Sequence, residues 1–205
     1  LNLLDTITNT LYTTINNNDR DIANKILNQF QELPESFGYC DFILTHSQNL
    51  YTKTFALGIM ENVIKTRWNL LDPVIRNSIR NFLVDILIKT VTEPPQNMNV
   101  SFFVNKLNIV IIAIAKNEWT TSWPNFISEL CSSSRQNQNL CENNMKLLQL
   151  LSEEINEFWK NSLTTQKAFE LKNKMSTEFS QVFLLCKFIF DNAQNVKQSL
   201  LIQAV

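Results

Sequence analysis

Apolar residues recur at three- and four-residue steps along most of this chain, the period of an amphipathic helix. Leu3, Leu4, Ile7, Leu11 and Ile15 begin the pattern, and Ile22, Ile26, Leu27 and Phe30 repeat it. Leu33-Pro34 closes the second segment, because a proline disfavours helix in the residue before it. The spacing predicts a short third helix over about 39–46 and a long fourth over about 51–68. Asp72 then reads as an N-cap and Pro73 as a first helical residue, opening a helix to about residue 90. "TEPPQN" interrupts it, and Val100, Phe103, Val104, Leu107, Ile111 and Ile114 mark the next helix. "TTSWPNF" punctuates again, with Ser122 or Trp123 ahead of Pro124, and a short helix is expected to run to about residue 133. Leu140, Leu147, Leu151, Ile155 and Phe158 line a long helix after it. Helical spacing continues over about 165–190 and 196–205.

These segments fall into pairs that restart roughly every 40 residues, the spacing of two-helix repeats that stack into HEAT and armadillo solenoids. The pattern therefore predicts an all-α chain, a HEAT-type alpha-solenoid of antiparallel helix pairs, with an irregular helical bundle as the alternative. On a wheel of the fourth helix, Ala56, Ile59, Met60, Val63 and Ile64 gather on one side with Arg67 at its edge. Trp68 is expected to close the helix end by packing, with the Arg67 stem lying over apolar surface. Thr54, Gly58, Glu61, Asn62 and Lys65 occupy the opposite side, where a core has no use for them.

Composition narrows the classes of function. Hydrophobic residues make up 44% of the 205, enough for a sizeable core. A formal net charge of −1 supplies no strong field toward nucleic acid or an anionic membrane. Only 2 Gly and 5 Pro favour helices over sheets, which need glycine at tight turns. The longest apolar run, Ile109–Ala115, is far short of the ~20 residues that span a bilayer. "LNLLDTITNTLY" has neither the basic flank nor the cleavage site of a secretory signal. The chain does not open with Met, so a segment of something longer is expected. Cys40, Cys131, Cys141 and Cys186 form no C-x-x-C pair, which predicts reduced, mostly buried thiols rather than disulfides or a zinc site.

Catalytic patterns are hard to place. With Gly38 and Gly58 as the only glycines, no phosphate-cradling loop or nucleophile elbow can form. His46, the single histidine, reads as a cap or surface residue. Glu153 and Glu154 are neighbours, about 100° apart on a helix, so they do not converge and read as a solvated face. Asn99-Val100-Ser101 matches a glycosylation sequon that is expected to be idle. The tryptophans of "EWTTSWPNF" have no basic stripe beside them, which argues against base stacking. No enzyme activity and no cofactor are expected.

Four stretches resemble a known family: "SQNLYTKTFALGIMENVIKTRW", "KLNIVIIAIAKNEWTTSWPNFISEL", "LCENNMKLLQLLSEEI" and "MSTEFSQVFLLCKFIFDNAQN". They look very like the N-terminal part of the nuclear exportins for leucine-rich export signals, the chromosome region maintenance exportins of the importin-β/karyopherin family. "LNLLDTITNTLY" fits the same place, while 19–44 matches only in pattern. The family's usual "EWPxxWPxF" reads "EWTTSWPNF" here, with Thr120 in place of a proline, which should loosen one loop.

The resemblance implies an importin-β N-terminal-like part over about 19–90 and exportin N-terminal repeats over about 91–205. It implies a partner, the small GTPase Ran in its GTP state, gripped on the inner surface by the second helix of each repeat. Docking would sense switch loops whose order depends on the γ-phosphate, and cooperative binding with cargo would load in the nucleus and release in the cytoplasm. The chain would then shuttle between nucleus and cytoplasm through nuclear pores, meeting export cargo and nucleoporins only as part of the full-length protein, with no direct nucleic acid and no membrane insertion. The export-signal groove and its inhibitor-reactive cysteine lie downstream in the family, so none of the four cysteines here takes that role. Inner-face candidates for Ran are Thr54, Glu61, Asn62 and Lys65 on one helix and Asn105, Ile109, Ile112 and Lys116 on the next. Glu142, Lys146, Gln149 and Glu153 take the matching face of a third. A helical-repeat scaffold without a nucleotide switch, or an importin-type segment, is the rival reading. "SLLIQAV" is expected to lack a packing neighbour. Circular dichroism should show dominant helix, whereas strand near the ordinary ~20% of residues would overturn the fold class.

Overall fold

The computed structural model describes residues 1–93, 100–156, 164–192 and 202. Residues 94–97 of "TEPPQN", Asn99 of the sequon and Phe158 lie outside them, as does the 196–205 helix apart from Ile202. Among the described residues the chain forms nine α-helices and two short 3-10 helices, and no strand. It divides into two compact units, Leu1–Asn81 with Pro95–Val110, and Phe82–Pro94 with Ile111–Val205.

In the first unit, α1 (Asn2–Thr13) packs on α2 (Asn17–Glu32) and on α4 (Leu50–Arg67), and α3 (Cys40–His46) packs on α4. Local chemistry sets the boundaries. Asn16 caps α2 by accepting from the Asn18 amide at 3.0 Å. Leu33 turns extended, at φ −63° and ψ 133°, directly before Pro34. Asn49 caps α4 through Tyr51 N at 2.9 Å while its amide reaches the Asp5 carbonyl at 3.1 Å. Ser47 donates to the Asp5 carboxylate at 2.7 Å, so the turn before α4 is tied to α1 at two points. Tyr51 stacks between Tyr12 and Phe102, at centroid distances of 4.9 and 5.2 Å.

The apolar side of α4 is buried as its wheel predicts: Ala56, Ile59, Met60, Val63 and Ile64 are all core residues, and so is Trp68, 2% exposed beside an exposed Arg67. The "TRW" end is thus a packing device. The first two helices correct the expected stripe. Leu3 and Ile15 are exposed, Ile15 because α1 ends at Thr13, and the fully buried residue of α1 is Thr8. Its hydroxyl meets the Thr52 hydroxyl at 2.6 Å, which is how a polar side chain becomes tolerable there. On α2 the buried positions are Ala23 and Leu27, leaving Ile22 and Ile26 half in solvent. A small residue at position 23 lets helices approach closely, and the helix is rotated by about one residue from the stripe that its isoleucines suggest.

α5 (Pro73–Thr92) and α6 (Ser101–Glu118) are each divided between the units. Asp72 caps α5 by accepting from Val74 N at 2.8 Å, as the Asp-Pro pair predicts. In the second unit Leu83 and Leu87 of α5 are buried, and α6 is buried at every position from Ile111 to Ala115. α7 (Phe126–Ser133), α8 (Gln138–Asn156) and α9 (Thr165–Asp191) pack on one another. Trp119 and Trp123 are buried against Phe126 at 6.3 and 4.6 Å, and their indole nitrogens donate to Glu178 and Glu129. These tryptophans are core, not a stacking platform. Thr120 is no loose spot either. Its hydroxyl accepts from Lys167 of α9 at 2.9 Å, a contact that a proline cannot make.

The α7–α8 joint rests on Asn144, 2% exposed. Its amide nitrogen donates to the Leu130 carbonyl at 3.1 Å and lies 3.0 and 3.1 Å from the Ser133 and Ser134 hydroxyls. Asn144→Asp replaces that donor with a charge facing a carbonyl, so urea unfolding should show a loss of at least about 2 kcal/mol. The exposed Asn156→Asp should stay within about 0.5 kcal/mol.

Candidate interaction surface

The first unit carries a charged edge built on Glu61 of α4. Its side chain is 14% exposed and receives two ammonium groups, Lys65 one turn on at 2.5 Å and Lys106 of α6. Burial by itself pushes the Glu61 carboxyl up, but hydrogen bonds from Lys106 and Lys65, with their charges, outweigh it and hold it below the ordinary glutamate value. One carboxylate between two lysines leaves a net positive edge. Lys65 is the outer member, with its side chain 53% exposed, against 26% for Lys106. Asn62 and Asn105 are exposed on the same two helices, and Ile109 is 41% exposed. Thr54 is half-buried and donates inside its own helix to Leu50 O at 2.8 Å.

The wheels missed Lys106. It follows Asn105 directly, and only the approach of α6 to α4 turns its long side chain onto Glu61.

In the second unit the expected face is only partly a surface. Ile112 is 2% exposed and is removed from the candidates, because α6 is enclosed on all sides there and a single apolar stripe does not describe it. Lys116, with 15% of its side chain exposed, pairs with Glu154 of α8 at 2.5 Å. Glu154 is therefore a partner of Lys116, not a solvated carboxylate. Glu153 accepts from Gln149 at 2.8 Å, and both are exposed, while Glu142 and Lys146 are half-buried.

Elsewhere the chemistry is quiet. Burial, with the charge of Asp41, pushes the Cys40 thiol up to about 12, and burial raises Cys131 to about 11. Such thiols stay protonated at neutral pH and are poor nucleophiles. All four cysteines are free. His46 is exposed, stacks on Phe42 at 4.3 Å and contacts the Phe42 carbonyl through Nδ1 at 3.0 Å. Among the described residues no group of three or more His, Cys, Asp or Glu is placed to hold a metal ion. No helix among them is long and apolar enough to cross a membrane.

Residues 100–205, just over half the chain, match the family described as "Exportin 1-like protein". The chain belongs to the exportin 1-like family. Residues 23–89 match the family described as "Importin-beta N-terminal domain". Exportin-1 of Drosophila melanogaster is 41% identical over 95% of this chain and 18% of its own length. Exportin-1 of Dictyostelium discoideum is 42% identical over 94% of the chain and 18% of its own. Exportin-1 of Schizosaccharomyces pombe is 38% identical over the same shares. The chain thus spans under a fifth of these relatives. Its fold class is the all-α, HEAT-type helical-repeat class of the importin-β/exportin family.

A carboxyl whose folded pKa is lowered stabilises fully above its unfolded value, 4.5 for Glu61, and loses that contribution as pH falls through the folded one. NMR titration of Glu61 should therefore give a midpoint below 4.5. Lys106→Met should raise the midpoint and cost about 1 kcal/mol at pH 7, and the more exposed Lys65→Met only about 0.3–0.5 kcal/mol. Equal effects of the two substitutions would show that Lys106 is not the inner partner.

Proposed function

We propose that this chain is the N-terminal segment of a nuclear export receptor, a binding segment without a catalytic group, and that its partner is the small GTPase Ran in its GTP state. Membership of the exportin 1-like family supports the reading most, with the net positive edge around Glu61, Lys65 and Lys106 as the feature of this chain suited to a macromolecular partner. Within the reading, about 19–90 is the importin-β-like part and about 91–205 the first exportin repeats. The candidate contacts are Thr54, Glu61, Asn62, Lys65, Asn105 and Ile109 in the first unit. In the second they are Lys116, Glu142, Lys146, Gln149 and Glu153, none of them assigned to a joint surface with the first. Cargo and nucleoporins bind through the longer protein, which shuttles between nucleus and cytoplasm.

The mechanism is differential affinity. A surface that docks on switch loops ordered by a γ-phosphate needs no contact with the nucleotide. If cargo and Ran-GTP each raise the other's affinity, loading follows the compartment rich in Ran-GTP, and hydrolysis reverses it.

The test is binding of residues 1–205 to Ran loaded with GTP or GDP. Weak binding with a clear GTP preference is expected, since a standard interface needs about 800 Å² from each partner and distant patches normally add to it. Lys65→Glu should weaken it by about tenfold or more without changing the helical spectrum. Ile64→Asp should instead unfold the first unit locally, because it buries an unpaired charge. Equal binding to both nucleotide states would favour the scaffold reading.

A further inference from the structure

The second unit contains a cavity of about 150 Å³, walled by Leu87, Ile111, Phe126, Leu130 and Leu147 among other apolar side chains. An apolar cavity of that size holds one benzene-sized ring. Its few polar residues are one-sided. Glu129, the only charged lining residue among the described residues, stands exposed, and Oε2 of its carboxylate is held by the Trp123 indole nitrogen at 2.9 Å. Among the described residues nothing pairs with the other oxygen, Oε1. Asn144 is oriented by the Leu130 carbonyl, to which its amide nitrogen and not its amide oxygen can donate, so Oδ1 is left as its open atom. The Ser133 proton is spent on the Glu129 and Leu130 carbonyls while the Asn144 amide donates to its oxygen. Among the described lining residues the side-chain donors are engaged and two acceptors remain.

We propose that this cavity is a binding site for a small hydrophobic ammonium compound, with one ring or short branched chain in the apolar part and the cationic head on Glu129. Neutral ligands of the same size would fill the volume and leave the carboxylate unpaired, and carboxylates would meet it with like charge. Glu129 needs no rearrangement to serve, since Trp123 already fixes it. The site is independent of the charged edge on α4 and of the export reading.

The probe is benzylamine, followed by amide chemical shifts of residues 1–205, with benzyl alcohol and benzoate as comparisons. Benzylamine should shift residues of α7 and α8 around the cavity, bind more tightly than benzyl alcohol and leave benzoate without effect. Glu129→Gln lies on the surface and should fold normally. It should weaken benzylamine by roughly three- to tenfold, a charge-assisted bond discounted for exposure, and leave benzyl alcohol unchanged. Val84→Phe, at a half-buried lining position, should weaken both by filling the space. Equal affinity for the amine and the alcohol would overturn the proposal, as would an unaltered Glu129→Gln or shifts centred elsewhere.

Discussion

Everything about the first unit follows from α4 having to satisfy two environments at once. Six apolar side chains from Ala56 to Ile64 are held at 7% exposure or less, and that burial sets the rotation of the helix. Rotation in turn puts Glu61 at the boundary between core and solvent, 14% exposed, where a carboxylate is costly unless it is paired. The two lysines are the consequence. A one-residue change in rotation would bury the carboxylate outright or release it to water, and the positive edge would vanish with it.

The second unit solves a different problem. α6 is buried from Ile111 to Ala115 there, so its charge is confined to the stretch beyond, where Lys116 pairs with Glu154, and the unit is joined as well by hydrogen bonds placed beside apolar side chains. Asn144 holds the end of α7, Trp119 and Trp123 spend their indole protons on Glu178 and Glu129, and Lys167 reaches Thr120. Each bond satisfies a polar group that burial would otherwise penalise. The same arrangement leaves the cavity beside α7 with acceptors rather than donors.

Exportin 1-like membership fits both solutions without demanding chemistry of either. The proposed receptor role acts by differential binding, and its requirements are a helical frame and surfaces whose charge is set by that frame.

The sequence by itself determined the elements. Helical period, Asp72-Pro73, Leu33-Pro34 and the scarcity of glycine placed helices and breaks close to where they are found, because caps and prolines act over a turn or less. It also determined the buried face of α4, whose stripe is unambiguous, and the family. Tertiary packing decided the rest. Thr8 is buried and Ile22 exposed because a hydroxyl can find Thr52 and a small residue lets helices approach, and neither fact is local. Ile112 left the candidate surface because enclosure depends on what surrounds a helix, not on its own period. Lys106 and Glu154 joined the charged groups because long side chains pair across helices, at sequence separations of 45 and 38 residues that no wheel can see.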